Sequence, residues 1–332
     1  MNAPVPQRSP TFADIKDAAR QIAGLAVRTP LLSCEALDEV AGAQVFVKAE
    51  PLQRTGSFKF RGAANRISRL TEAEQARGVV AYSSGNHAQA VAKAASIMGA
   101  RAAIVMPSDA PRLKLEATRG YGAEVILYDR HSEHREEIAS RVVAERGAIL
   151  VPPFEDRFII AGQGTAGLEA AEDLTARGLE ADVVLCPTSG GGLMAGTALA
   201  FGAMTPGARC YAVEPAEFDD YGRSLASGRR ETNARSAGGL CDALLTPTPG
   251  ELTFSINQPR LAGALTVSDE EVLRAMAFAF RWLKIVIEPG GCVALAAALS
   301  GKLELRGRIV VVIASGGNVD PDVFERALHI GL

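Results

Sequence analysis

From residue 78 onward the apolar positions fall into short continuous runs, at 79–82, 102–106, 125–128 and 148–151. Each is too short for a buried helix and reads as a strand covered on both faces. Longer stretches with helical spacing lie between them, at 88–98, 111–119 and 133–145. Strands alternating with helices in this way predict βαβ units and a parallel sheet. A second block repeats the rhythm, with a helix at 159–174, a strand at 183–186, a helix at 193–201 and strands at 210–213 and 309–313. Ser268, followed by Glu270 and Glu271, predicts the capped start of a long helix reaching residue 283. Ahead of residue 78 the pattern is less regular. Thr11 can cap a helix over 12–22, residues 45–47 read as a strand, and 58–70 are helix-compatible behind Ser57 as N-cap. Residues 1–10 carry three prolines and read as a loose tail, and 238–251 as irregular chain.

Composition narrows the class. The 332 residues suffice for two domains, and 48% apolar content supports a large core. A net charge of −3 gives no footprint for nucleic acid, and the basic clusters read as solvated faces. The five cysteines are scattered and lack Cys-x-x-Cys spacing, which argues against a disulfide framework or a zinc site. No apolar stretch is long enough to span a bilayer. No basic segment leads into an apolar run at the N-terminus, so a cytoplasmic protein is expected.

Five stretches carry candidate chemistry. In Thr55-Gly56-Ser57-Phe58-Lys59-Phe60-Arg61-Gly62-Ala63 a lysine stands between two aromatic residues at a helix start. Burial there disfavours the ammonium, and a neutral amine can form a Schiff base with a carbonyl. The alternative is a surface lysine on a basic helix, with Lys48, Arg54, Arg61 and Arg66 nearby. Thr188-Ser189-Gly190-Gly191-Gly192-Leu193 lies between a strand and a helix, where backbone N–H groups can cradle a phosphate. It matches neither nucleotide-binding glycine fingerprint, and three glycines also make a tight turn. Ser83-Ser84-Gly85-Asn86-His87 has the same placement. Its amides and hydroxyls can bind a carboxylate and Asn86 a phenolic oxygen, or Ser84 can simply cap a helix with His87 in its first turn. Ser315-Gly316-Gly317-Asn318 leaves another strand end, where a serine can bond a ring nitrogen or cap a helix. The carboxylates of 214–220 suit Mg²⁺ or Ca²⁺, or make an acidic solvated loop.

Together with Gly162-Gln163-Gly164-Thr165, these motifs stand in an order that resembles the fold-type II pyridoxal-phosphate (PLP) enzymes of the threonine dehydratase and serine racemase group, from about Thr11 to the C-terminus. The resemblance implies an α/β, two-domain, tryptophan synthase β-like fold with parallel-rich twisted sheets flanked by helices. It implies a large domain at 1–73 and 153–332 and a small mobile domain at 74–152. It makes Lys59 the covalent anchor of PLP and Phe58 its neighbour. Asn86 then bonds the ring hydroxyl, Gly190, Gly191, Gly192 and Leu193 hold the phosphate, and Ser315 bonds the pyridine nitrogen. It implies a divalent cation, Mg²⁺ or Ca²⁺, at Glu214, the Phe218 carbonyl and Asp220. Ser84 would be an acid or base on the face opposite Lys59. Ser83, Ser84 and His87 would meet the substrate, and Arg135 would meet a second carboxylate. A homodimer acting on a small amino acid, with no nucleic-acid or membrane partner, is expected. The sequence departs from the group at Ser189, which leads three glycines where four are frequent, at Ala88, and at Cys241-Asp242-Ala243.

The reaction so implied is β-elimination of water from a β-hydroxy amino acid, giving a 2-oxo acid and ammonia. Threonine or serine is the leading substrate. The alternatives are a serine or aspartate-type racemase using Ser84, a 3-hydroxyaspartate dehydratase using Arg135, and a ligand-binding relative without catalysis.

Overall fold

In the computed structural model, which describes residues 8–83, 85–110, 112–129, 132–235 and 237–330, the apolar runs become the strands of two sheets. Along the chain these are β1 (Leu31–Leu32), β2 (Gln44–Ala49), β3 (Val79–Tyr82), β4 (Ala102–Pro107), β5 (Glu124–Tyr128), β6 (Ile149–Leu150), β7 (Val183–Pro187), β8 (Arg209–Pro215), β9 (Leu261–Val267) and β10 (Ile309–Ala314). One sheet has the order β1-β2-β10-β7-β8-β9, the other β5-β4-β3-β6. Every pairing is parallel except β1 with β2. Parallel strands need helical crossovers, so both sheets are flanked by helices and the fold is α/β, as the alternating pattern predicts.

The register of β10 places the site. It runs beside β2 from Ile309 opposite Gln44 to Ala314 opposite Ala49, so Ser315 emerges next to the lysine stretch. There the structure corrects one expectation. Ser57 does not cap the following helix. It is extended, at φ −162° and ψ 159°, and forms an isolated bridge with Gly316. The Phe58 N–H donates to the Ser315 carbonyl at 3.0 Å, and the helix Lys59–Ile67 starts one residue later. Sheet-like pairing has taken the place that side-chain capping was expected to fill.

The Gly162-Gln163-Gly164-Thr165 motif lies inside the helix Arg157–Ala176, which packs on two neighbours at once. A Cβ at Gly162 would stand 2.6 Å from the Arg61 carbonyl of the lysine helix, and one at Gly164 2.9 Å from Gly196 Cα in the helix Gly192–Met204. These contacts are closer than a side chain allows, so the glycines let one helix hold both the lysine and the glycine loop in place.

A second correction concerns charge. Lys48 and Arg61, expected on a solvated basic face, are fully buried. Arg61 donates from Nε and Nη2 to both oxygens of the buried Glu50, at 2.7 and 2.8 Å, and from Nη1 and Nη2 to Glu169 at 2.7 and 2.8 Å. Lys48 Nζ reaches Glu169 and the Thr29 carbonyl, each at 2.6 Å. The network ties the lysine helix to the strand before it and to the helix Arg157–Ala176.

The structure contains further elements that the apolar pattern does not predict. They include β9, whose edge position leaves it only half-buried, and the short helices Glu35–Ala41, Asp220–Ser227 and Glu251–Asn257. Ser268 caps its helix with a reciprocal Glu271 contact as expected. The α-helix stops at Phe278, however, and a π turn, Ala279–Leu283, completes the expected length. Among the described residues no helix is long and apolar enough to cross a membrane.

Candidate active site

Where the strands of the two sheets end, their exit loops enclose a cavity of about 210 Å³. This is the crevice in which open α/β sheets bind ligands. Lys59 stands in its wall, with Nζ donating to the Pro153 carbonyl at 3.0 Å and lying 5.0 Å from the centre of the Phe58 ring. Desolvation pushes its pKa down from 10.5 to about 8. A much larger share of Lys59 is therefore neutral at physiological pH than of an exposed lysine.

The glycine loop forms another wall. Gly191 adopts φ +93°, a left-handed conformation that turns the chain into the helix Gly192–Met204. The loop carbonyls face outward. Gly190 O accepts from Thr253 Oγ1 at 2.5 Å, and Gly191 O from Asn257 Nδ2 at 3.1 Å. At a helix start the first N–H groups, here those of Gly192 and Leu193, have no intrahelical acceptors and are free to meet an anion in the cavity. No side chain fits on the loop. A Cβ at Gly190, Gly191 or Gly192 would strike Phe154, Tyr221 or Gln163.

Ser83, Asn86 and His87 line the same cavity, and the helix Asn86–Ile97 points its N-terminus there. Ser83 Oγ accepts from the Gly85 N–H at 3.2 Å. Ser84 lies outside the described residues. His87 is buried, with Nε2 2.8 Å from the Val151 carbonyl. A carbonyl only accepts, so Nε2 carries the proton and Nδ1 is bare. Burial, reinforced by the Lys59 charge, pushes the His87 pKa down to about 3, so the ring is a neutral hydrogen-bonding group. Ser315 is also in the cavity wall, at the end of β10. Arg135 reaches the cavity from the start of the helix Arg135–Arg146, its guanidinium 5.4 Å from the Tyr82 ring centre and its Nε donating to Glu136 at 2.8 Å.

The structure adds residues that no motif marked. Lys114 Nζ, nearly buried in the cavity wall, donates to Asp242 at 2.6 Å. In the sequence Asp242 stands out only as part of a departure from the group's pattern. Glu288 is fully enclosed, and desolvation, with Asp242 nearby, pushes its carboxyl up to about 8. As a lone acid before Pro289 and a glycine pair, Glu288 gives no reason in the sequence to stand beside Asn86. Only the return of the chain brings together residues two hundred positions apart.

The proposed metal ligands form a separate buried cluster. Glu214 accepts from the N–H groups of Tyr221 and Gly222, each at 2.8 Å, and Asp220 Oδ1 accepts from Asn233 at 2.6 Å. Desolvation, added to the charge of Asp220, holds Glu214 well above the usual carboxylate range, and desolvation pushes Asp220 up to about 6. Asp220 Oδ2 is buried without a partner, which fits a cation ligand. Among the described residues no group of three or more His, Cys, Asp or Glu side chains is arranged to hold a metal, so a cation here would also need carbonyl or water ligands.

Residues 22–316 match the sequence model of the family described as pyridoxal-phosphate dependent enzyme. The chain belongs to this family. It is 42% identical over 311 residues to an L-threo-3-hydroxyaspartate ammonia-lyase of Saccharomyces cerevisiae, covering 94% of each chain. It is 41% identical to an L-threonine ammonia-lyase of Thermotoga maritima, covering 97% of this chain and 79% of the other. The crystal structure of serine racemase from Dictyostelium discoideum superposes with a TM-score of 0.88 at 38% identity, covering 94% of this chain and 100% of that one. The cavity suits the family's cofactor. An amine of lowered pKa stands at one wall and a side-chain-free loop of N–H groups at another. A neutral serine stands at the end of a third strand.

Proposed function

We propose that the chain is an ammonia-lyase that eliminates water from a β-hydroxy amino acid bearing a second carboxylate, a 3-hydroxyaspartate. The observation that carries this is the guanidinium of Arg135 in the same cavity as Lys59. Two ammonia-lyases acting on L-threo-3-hydroxyaspartate, from Saccharomyces cerevisiae and a Pseudomonas species, are each 42% identical to the chain and support the reading.

When bound, PLP supplies the conjugated ring that takes up negative charge from the α-carbon. The chain's residues do the rest. Lys59 anchors the cofactor and, once released, takes the α-proton with its neutral amine. The N–H groups of the glycine loop hold the phosphate. Ser83 and the N-terminus of the Asn86–Ile97 helix receive the α-carboxylate. Ser315 meets the ring nitrogen with a neutral hydroxyl, which cannot hold a proton there as a carboxylate would. Charge is therefore withdrawn less strongly and the β-hydroxyl is expelled promptly. The β-hydroxyl leaves as water after gaining one proton, and hydrolysis of the released enamine yields the 2-oxo acid and ammonia.

Arg135→Ala is expected to lower kcat/KM for 3-hydroxyaspartate by about a hundredfold, the scale of a lost charged hydrogen bond in a closed site. Serine turnover should change by only a few-fold. Release of 2-oxo acid from both 3-hydroxyaspartate diastereomers, threonine and serine, with chiral analysis of the residual substrate, checks this; equal losses on all substrates would sink the dicarboxylate reading. A second reading, threonine or serine as substrate, is favoured by the Arg135–Glu136 contact, which already satisfies Nε outside the cavity. Scrambling of the enantiomers faster than elimination would instead point to a racemase.

A divalent cation held by Glu214, the Phe218 carbonyl and Asp220 belongs to the same reading. It would relieve the two buried carboxylates and stiffen the loop after β8. Adding Mg²⁺ or Ca²⁺ after EDTA treatment should raise Tm by several degrees, and Glu214→Gln should abolish that response. A Tm indifferent to EDTA and to both ions would remove the cation from the scheme.

A further inference from the structure

Asn86 holds a carboxamide whose two ends are chemically different, and a cavity-facing amide works only if the correct end faces inward. Its Nδ2 donates to Glu288 Oε1 at 2.5 Å, and its Oδ1 accepts from Asn318 Nδ2 at 2.7 Å. The same Asn318 nitrogen donates to the Thr55 carbonyl at 2.8 Å.

These three bonds determine one another. A backbone carbonyl can only accept, so Thr55 forces Asn318 to present its NH₂ group. With the NH₂ of Asn318 turned that way, Asn86 must present its oxygen. The NH₂ of Asn86 then faces Glu288, which takes one hydrogen and leaves the other for the cavity. The surroundings are built to this arrangement. Thr55 sits at φ +59°, a left-handed conformation costly for a β-branched residue, and its carbonyl is the fixed point of the chain. A Cβ at Gly56 would collide with the Asn318 amide, and one at Gly316 with the Glu288 carboxylate. Glu288 Oε2 has no partner, so the carboxylate's attachment to its surroundings is through Asn86.

We propose that Asn318 is a positioning residue that acts through Asn86, setting the amide so that an N–H and not the carbonyl faces the ring oxygen of the bound cofactor. The inference rests on the placement of Asn86 toward that oxygen under the proposed function. Asn318 stands in the exit loop of β10 and Asn86 opens the helix that follows β3, so the bond also couples the two sheets at the cavity.

The test uses the holoenzyme and two readouts other than turnover: the affinity of the apoenzyme for PLP, and the pH midpoint at which the visible band of the bound cofactor gives way to its near-ultraviolet band. Asn318→Asp is nearly isosteric but sets acceptor against acceptor at Thr55 and at Asn86. The Asn86 amide is then expected to turn over and present its oxygen to the cavity. A phenolic oxygen that loses a donor holds its proton more tightly. Asn318→Asp should therefore raise the midpoint by about one unit and weaken PLP binding by about tenfold. Asn86→Ala should do the same, and the double variant should show no further change, because one residue acts through the other. The ionisable groups around the cavity, Lys59, Arg135, His87, Lys114, Asp242 and Glu288, are unaltered in every variant. Asn318→Ala, which removes the clamp without adding charge, should move the midpoint the same way by a smaller step and serves if the aspartate variant does not fold. A shift in Asn86→Ala with none in either Asn318 variant would overturn the positioning role alone. Additive shifts in the double variant would overturn it as well. No shift in Asn86→Ala would overturn both this inference and the placement of Asn86 on which it rests.

Discussion

Lys59→Ala is expected to lower 2-oxo acid release by about 10⁴-fold, the upper end of what a positioned acid–base group contributes. Under the proposed function the variant loses both the covalent anchor and the base, yet its glycine loop is intact and should still bind PLP reversibly. Borohydride treatment followed by mass measurement should label the parent enzyme and leave the variant unlabelled. Activity above a hundredth of the parent's would remove Lys59 from the mechanism. The lowered pKa adds a pH signature. Attachment of PLP to the apoenzyme requires the neutral amine, whose fraction rises with pH through about 8 instead of 10.5. The attachment rate should therefore be half-maximal near pH 8, and a rate still climbing in proportion to hydroxide at pH 10 would show that burial does not tune this lysine.

Arg61→Leu is expected to destabilise the protein by about 3–5 kcal/mol, the cost of stripping one partner from a buried ion pair. Glu50 is fully buried and would lose its charged donor, and Glu169, mostly buried, would keep only Lys48. Urea unfolding followed by circular dichroism measures the loss. Arg28, paired to Glu172 and Asp173 on the surface, is the contrast, since half of its side chain is exposed and solvent screens it. Arg28→Ala should cost no more than about 1 kcal/mol. The network also has a pH sign. Burial would raise the Glu169 carboxyl, but hydrogen bonds from Arg61 more than offset this and hold it below the usual carboxylate range. A group depressed in the folded state contributes stability above its unfolded pKa and loses it as pH falls through the folded one. The difference between parent and Arg61→Leu should therefore shrink in acid. A loss under 1 kcal/mol at neutral pH would mean that the buried charges find other partners.

Arg61 also shows what one-dimensional reading misses. In sequence it is one of several cations around Lys59 and looks like part of a wet basic helix. Its neutralising partners, Glu50 and Glu169, are 11 and 108 positions away. Ser57 shows the same effect at longer range. Its residue type favours a cap, but Gly316, just past the end of β10, offers backbone pairing that a local rule cannot weigh. Lys114 and Glu288 belong to no motif, and became part of the site only where separate elements met.

The amino-acid order by itself determined the alternation of strand and helix, the glycine turns at strand ends and the lysine among aromatic residues. Those features depend on neighbours within a few positions, through backbone sterics and the period of apolar side chains. Tertiary structure alone decided which charges are buried, which pKa values move and which end of the Asn86 amide faces the cavity. Desolvation and hydrogen bonding depend on groups that the fold brings within a few ångströms, and those groups come from chain segments as far apart as Thr55 and Asn318.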